Sequence, residues 1–123
     1  MGFDMQLTKA KKHVLEKLLN KYYQESLNDL PYEAMEELNH HPESSSFTSR
    51  VNLLDNLNGL PYASETYAYL SKEDYERILS HCRKKINSSE NTLERRECER
   101  LVSWMEALNP DWEKDEIIYE YDC

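Results

Sequence analysis

The chain has 123 residues, 39% of them apolar, and a formal net charge of −9, which predicts one domain with a single real core rather than a disordered chain. Only two glycines occur, Gly2 and Gly59; P-loops, dinucleotide loops and hairpin-rich all-β folds lean on glycine and are excluded or disfavoured. Three cysteines, no secretory leader and no apolar run near the ~20 residues of a membrane span predict a cytoplasmic protein without membrane contact.

The first predicted element is a helix over 8–27, capped by Thr8. Ala10, Val14, Leu15, Leu18, Leu19, Tyr22 and Leu27 fall near 3.6-residue spacing, and Lys9, Lys11, Lys12, Lys17 and Lys21 form a solvated basic face. "LNDLPY" at 27–32 recurs as "LNGLPY" at 57–62, but the match ends on both sides, so each copy reads as helix punctuation rather than a solenoid repeat. Pro31 suits the first turn of a second helix, 31–40, with Glu33, Glu36 and Glu37 on its surface and Ala34, Met35 and Leu38 beneath. His40-His41-Pro42 ends it, because the residue before proline is pushed out of the α region. Ser44–Ser46 reads as loop. A short helix follows over about 49–58, turning Val51, Leu54 and Leu57 inward and closed by Gly59 in a left-handed conformation.

"ETYAYL", 65–70, alternates and reads as a strand. Ser71 caps a helix through Ile86 with Asp74 in the capping-box position. Tyr75, Ile78, Leu79, Cys82 and Ile86 are its buried stripe. Asn91 and Glu94 repeat the cap signal for a last helix over 92–108, burying Leu93, Cys98, Leu101, Val102, Met105 and Leu108 and stopped by Asn109-Pro110. The two helices predict an antiparallel hairpin. The tail "DEIIYEYD" has the period of a strand, with Ile117, Tyr119 and Tyr121 on one face and Glu116, Ile118 and Glu120 on the other. The expected fold is therefore mainly α: a single-domain bundle of about five helices with a two-stranded β element made of 65–70 and 116–121.

Chemistry is sparse. A hairpin turning near residue 89 would let Cys82 face Cys98. His81 beside them and the pair His40-His41 are the only other zinc candidates, but no C-x₂-C spacing exists, and buried free cysteines are common core residues. No cofactor is expected. His81 and Cys82 are neighbours on a helix, about 100° apart, so the one cannot easily activate the other. Ser44–Ser46 lack a nucleophile elbow. With nothing converging on a pocket, an enzyme is not expected.

Charge distribution is the positive signal. Residues 1–27 carry five lysines against three acids, residues 28–45 carry five acids and no lysine or arginine, and residues 111–123 carry six acids and Lys114. Such blocks repel nucleic acid and steer basic proteins inward. Glu33, Glu36 and Glu37, with Asp111, Glu113, Asp115, Glu116, Glu120 and Asp122, are candidate partner-binding carboxylates. Trp112, Tyr119 and Tyr121 are candidate apolar anchors.

In size, acidity and aromatic content the chain resembles small phage-encoded inhibitors of the anti-CRISPR type that block Cas nucleases. Asp29, Glu33, Glu36, Glu37 and Glu43, with Asp111, Glu113, Asp115, Glu116, Glu120 and Asp122, carry the likeness. The resemblance implies a non-enzymatic protein that occupies the basic groove of a nucleic-acid-binding enzyme, with no direct nucleic-acid contact; the basic first segment departs from a uniformly acidic mimic. An antitoxin or immunity protein masking a basic toxin would need the same physics. A zinc-stabilised scaffold or adaptor is the third reading.

Overall fold

The computed structural model describes residues 4–61 and 66–122. Four strands and four helices follow one another: β1 (Asp4–Lys11), α1 (Lys12–Lys21), α2 (Tyr32–Asn39), β2 (Ser45–Ser49), β3 (Tyr67–Leu70), α3 (Lys72–Ser88), α4 (Thr92–Leu108) and β4 (Asp115–Asp122). The strands make one antiparallel sheet in the order β2-β1-β4-β3. This α+β architecture overturns the mainly helical expectation. The pairing of 67–70 with the tail is as expected, but it is one edge of a four-stranded sheet.

The largest departure is β1. Residues 4–11 are strand, and Thr8 sits in its middle rather than capping a helix. Met5 and Leu7 point to one face, and Thr8 and Ala10 to the other. Strand pairing on both sides, with β2 and β4, satisfies the β1 backbone, which overrides the helical spacing that begins at Ala10. Thr8 is buried, within hydrogen-bond reach of Asn39 and of Ser46. That contact explains why a β-branched hydroxyl is tolerated there. Helix α1 therefore spans 12–21 only.

Ser45 and Ser46, expected in a loop, belong to β2. The helix expected over 49–58 is a run of turns, although Leu54 is buried and Val51 and Leu57 pack against the core as the pattern required. Gly59 does take positive φ, +88°, and a Cβ there would lie 3.3 Å from the Arg77 guanidinium. Neither copy of the short repeat closes an α-helix. The first forms a 3₁₀ turn, Leu27–Asp29, and Pro31 stands at the N-cap of α2. Part of the second copy, and residue 65 of the predicted strand, lie outside the described residues, as do Gly2 and Cys123.

The α3–α4 hairpin matches its prediction closely. Ser71 accepts the Asp74 N–H at 3.1 Å and Asn91 accepts the Glu94 N–H at 3.0 Å. Asn109 ends α4 at φ 41°. Leu93 is an exception, half exposed instead of buried. The hairpin covers one face of the sheet, where Met5, Leu7, Phe47, Leu70, Ile117 and Tyr119 meet Ile78, Cys82, Cys98, Leu101 and Met105. On the other face α1 and α2 cover Ala10 and Ile118 with Val14, Leu18, Met35 and Leu38. Two cores thus share one sheet.

Side chains guard both sheet edges. The Asn28 amide accepts the Tyr67 N–H at 2.7 Å and donates to the Tyr67 carbonyl at 2.9 Å, imitating a missing strand. On the far edge, Arg100 donates to the Thr48 carbonyl at 2.6 Å. Asn28→Ala should cost about 1–2 kcal/mol in urea denaturation, from two lost hydrogen bonds. It should also raise self-association in sedimentation, because Tyr67 then offers an open edge.

Candidate functional site

β4 is a central strand, and this decides what its residues can do. Asp115 is 3% exposed, and its carboxylate meets Lys11 Nζ at 2.9 Å and accepts the Asp111 N–H at 2.9 Å. Burial alone would push its pKa up; the Lys11 hydrogen bond, the Asp111 N–H and the charges of Lys11 and Lys9 outweigh that and hold it below its ordinary value. Tyr119 is buried in the core against α3–α4, and Tyr121 packs beside it. Trp112 sets its ring edge-on against Tyr75 at 5.5 Å, and its carbonyl accepts from Lys12. These aromatics and Asp115 hold the fold together, so the tail is not the free recognition strand that its charge suggested. The side chain of Asp122 lies outside the described residues.

The remaining tail acids divide. Asp111 and Glu113 are exposed on the turn before β4, and Asp111 accepts the Glu113 N–H. Glu116 is half-buried, 3.7 Å from Lys12. Glu120 is half-buried beside Tyr67. Burial first, then the charge and hydrogen bond of Glu120, raise the Tyr67 phenol to about 12.

On α2 the predicted carboxylates are at the surface. Glu33, Glu36 and Glu37 are exposed, and Lys21 reaches Glu37 at 3.0 Å. The Tyr32 hydroxyl donates to the Glu36 carboxylate, which raises its pKa. Two aromatics with no assigned role in the sequence pattern are the most exposed among the described residues: Tyr23 at 94% and Tyr32 at 73%. Tyr23 stands just beyond α1. The Gln24 N–H reaches the Leu19 carbonyl and the Tyr23 N–H reaches the Asn20 carbonyl. That is the Schellman pattern, and it places Tyr23 where helices favour glycine. Its φ is 54°. A bulky side chain in that conformation costs about 1–2 kcal/mol, and it gains no burial in return. The signal was present in the sequence as composition: residues 22–37 hold three tyrosines and five acids, with no Lys, Arg or His.

The sheet separates the zinc candidates. His40 and His41 end α2 on one side, as the proline rule required; His40 Nδ1 lies 2.8 Å from the Glu36 carbonyl oxygen. His81, Cys82 and Cys98 belong to the α3–α4 hairpin on the other side. The imagined approach of the histidine pair to the cysteines does not occur. Cys82 and Cys98 do face each other, both fully buried; burial first, then Cys98, pushes the Cys82 thiol up to about 12. Thiols so raised are inert toward electrophiles. Burial first, then Lys85, lowers the His81 pKa. Among the described residues no group of three or more His, Cys, Asp or Glu side chains could hold a metal. Nor is any helix among them long and apolar enough to cross a membrane.

No protein-family model, curated protein or solved structure matches the chain.

The Lys11–Asp115 pair gives a direct test of the structural role. The folded-state pKa of Asp115 lies below the ordinary 3.8, so its stabilisation is complete above that value and is lost as pH falls through the folded-state pKa. Asp115→Ala should lower stability at neutral pH by about 1.5–3 kcal/mol, chiefly because the Asp111 N–H loses its charged acceptor; Lys11, on the solvent side of the pair, can rehydrate. The substitution should also flatten the acid limb of the stability–pH curve in chemical denaturation.

Proposed function

We propose that this protein is a non-enzymatic acidic binder that inhibits a nucleic-acid-handling enzyme, a Cas9-type nuclease being the leading partner, by occupying a basic groove. The surface that does so is not the tail but the stretch from Tyr22 to Glu37. One observation carries the reading: Tyr23 and Tyr32, the two most exposed tyrosines among the described residues, stand in a segment that has five carboxylates and no Lys, Arg or His of its own, and only Glu37 among those acids is paired with a lysine, Lys21. Tyrosine supplies rigid contact area at low entropic cost, and it is enriched where interfaces concentrate their energy. Carboxylates around it steer a cationic groove inward and pair with arginines that otherwise hold phosphates.

The strained backbone at Tyr23 supports this assignment. Glycine would close α1 at lower cost, so the fold gives no reason for a tyrosine there. Contact with a partner does. Asp111 and Glu113 form a second, smaller acidic surface at the turn before β4; it lacks an exposed aromatic and supplies steering only.

Tyr23→Gly separates stability from binding. The variant should be more stable than the parent by about 0.5–1 kcal/mol in thermal or chemical denaturation. It should displace labelled DNA from a guide-loaded Cas9-type nuclease at least about tenfold less well. Glu33→Lys with Glu36→Lys should lose displacement altogether while staying folded, with only a small drop in melting temperature from the lost Tyr32 contact and first-turn acid, and the parent should weaken as salt rises. Equal displacement by the parent and all three substitutions, or none by the parent, contradicts the nuclease reading.

A further inference from the structure

Helix α1 and the end of α2 flank an open cleft of about 390 Å³, within the size range of small-molecule sites. Its floor is Val14 and Leu18, both buried. Its rim is a ladder of paired polar side chains. His13, Lys17 and Lys21 recur every four residues and so share one stripe of α1. At one end His13 Nε2 meets Glu43 Oε2 at 3.3 Å; at the other, Lys21 Nζ meets Glu37 Oε1 at 3.0 Å.

The middle rung has no acid. Lys17 lines the cleft between the two pairs and makes no ion pair or hydrogen bond among the described residues. The opposite wall offers His41 there, four residues past Glu37 and two before Glu43. His41 is also a donor. Its Nδ1 accepts the Glu43 N–H at 3.0 Å, so the neutral ring carries its proton on Nε2. Two donors, one of them charged, thus overlook an apolar floor, and both neighbouring carboxylates already have partners, Glu37 in Lys21 and Glu43 in the His13 ring.

The geometry points to a binding site for a small organic anion. Its carboxylate or phosphate monoester group sits between Lys17 Nζ and the His41 Nε2–H, and a compact apolar body rests on Val14 and Leu18. The head group replaces the absent acid of the middle rung and completes the ladder. A bare inorganic anion leaves the floor uncovered, and a neutral ring leaves Lys17 uncompensated. This site adjoins the partner-binding surface proposed above at Glu37, but it does not rest on that reading.

The test is an amide NMR titration of the full chain with benzoate and with phenyl phosphate. Benzyl alcohol serves as the probe without charge, and inorganic phosphate as the probe without a body. Saturable shifts confined to 13–18 and 37–43 are expected for at least one organic anion, and the tighter of the two assigns the head group. Its affinity should exceed that for benzyl alcohol and for inorganic phosphate by at least about tenfold. Lys17→Gln, on an exposed position, should weaken it by about tenfold, whereas Lys17→Arg should retain it. No saturable shift with either organic anion overturns the proposal. So does undiminished binding to Lys17→Gln, or benzyl alcohol bound as tightly as the anions.

Discussion

The structure depends on β4 lying between β1 and β3. It pairs with β1 over eight residues and with β3 over four. Because side chains alternate along a strand, this one segment serves two cores: Ile117 and Tyr119 enter the core under α3–α4, and Ile118 enters the core under α1–α2. Each such side chain removes enough apolar area from water to stabilise by about 1.5–3 kcal/mol. The last strand in the chain pairs with the first, so the sheet closes only when both ends of the sequence have met. A register slip of one residue would exchange the two cores and bury Glu116 and Glu120 in place of their neighbours.

The same topology settles the charges. The cationic first segment lies against both acidic blocks: Lys11 meets Asp115 and Lys12 meets Glu116 in β4, while Lys21 meets Glu37 and His13 meets Glu43 around α2. The basic segment that looked out of place in an acidic protein is its internal counterion. Apart from the buried Asp115 pair, such exposed contacts are worth little individually, but they decide which carboxylates are left to act on anything else. Glu25, Asp29, Glu33 and Glu36 sit on the exposed 22–37 stretch, and Asp111 and Glu113 on the turn before β4. The excess negative charge that would steer the proposed partner is concentrated there.

The α3–α4 hairpin was legible residue by residue because its signals are local. A serine and an asparagine cap, an i, i+3, i+4 stripe, and an asparagine before proline each act within one helix. The faces of β4 were legible for the same reason. What was not legible is who pairs with whom. Met5, Leu7, Thr8 and Ala10 are compatible with either a strand or the start of a helix, and only β2 and β4 on either side settle the choice. Reading charge without topology then placed part of the interface on Asp115 and Tyr119, which the fold buries. Tyr23 was missed because its oddity is conformational, φ 54° at a glycine position, and nothing in a tyrosine codon announces its backbone.

Hydrogen exchange on the free and partner-bound protein measures the division of labour between the two acidic blocks most directly. If β4 is interior scaffold and 22–37 is the recognition surface, amides of Ile117–Tyr119 exchange only through global unfolding in the free protein. Partner binding then adds protection within 22–37 and leaves β4 as it was. Fast exchange along β4 in the free protein, slowed on binding while 22–37 stays unchanged, would contradict both halves of that account.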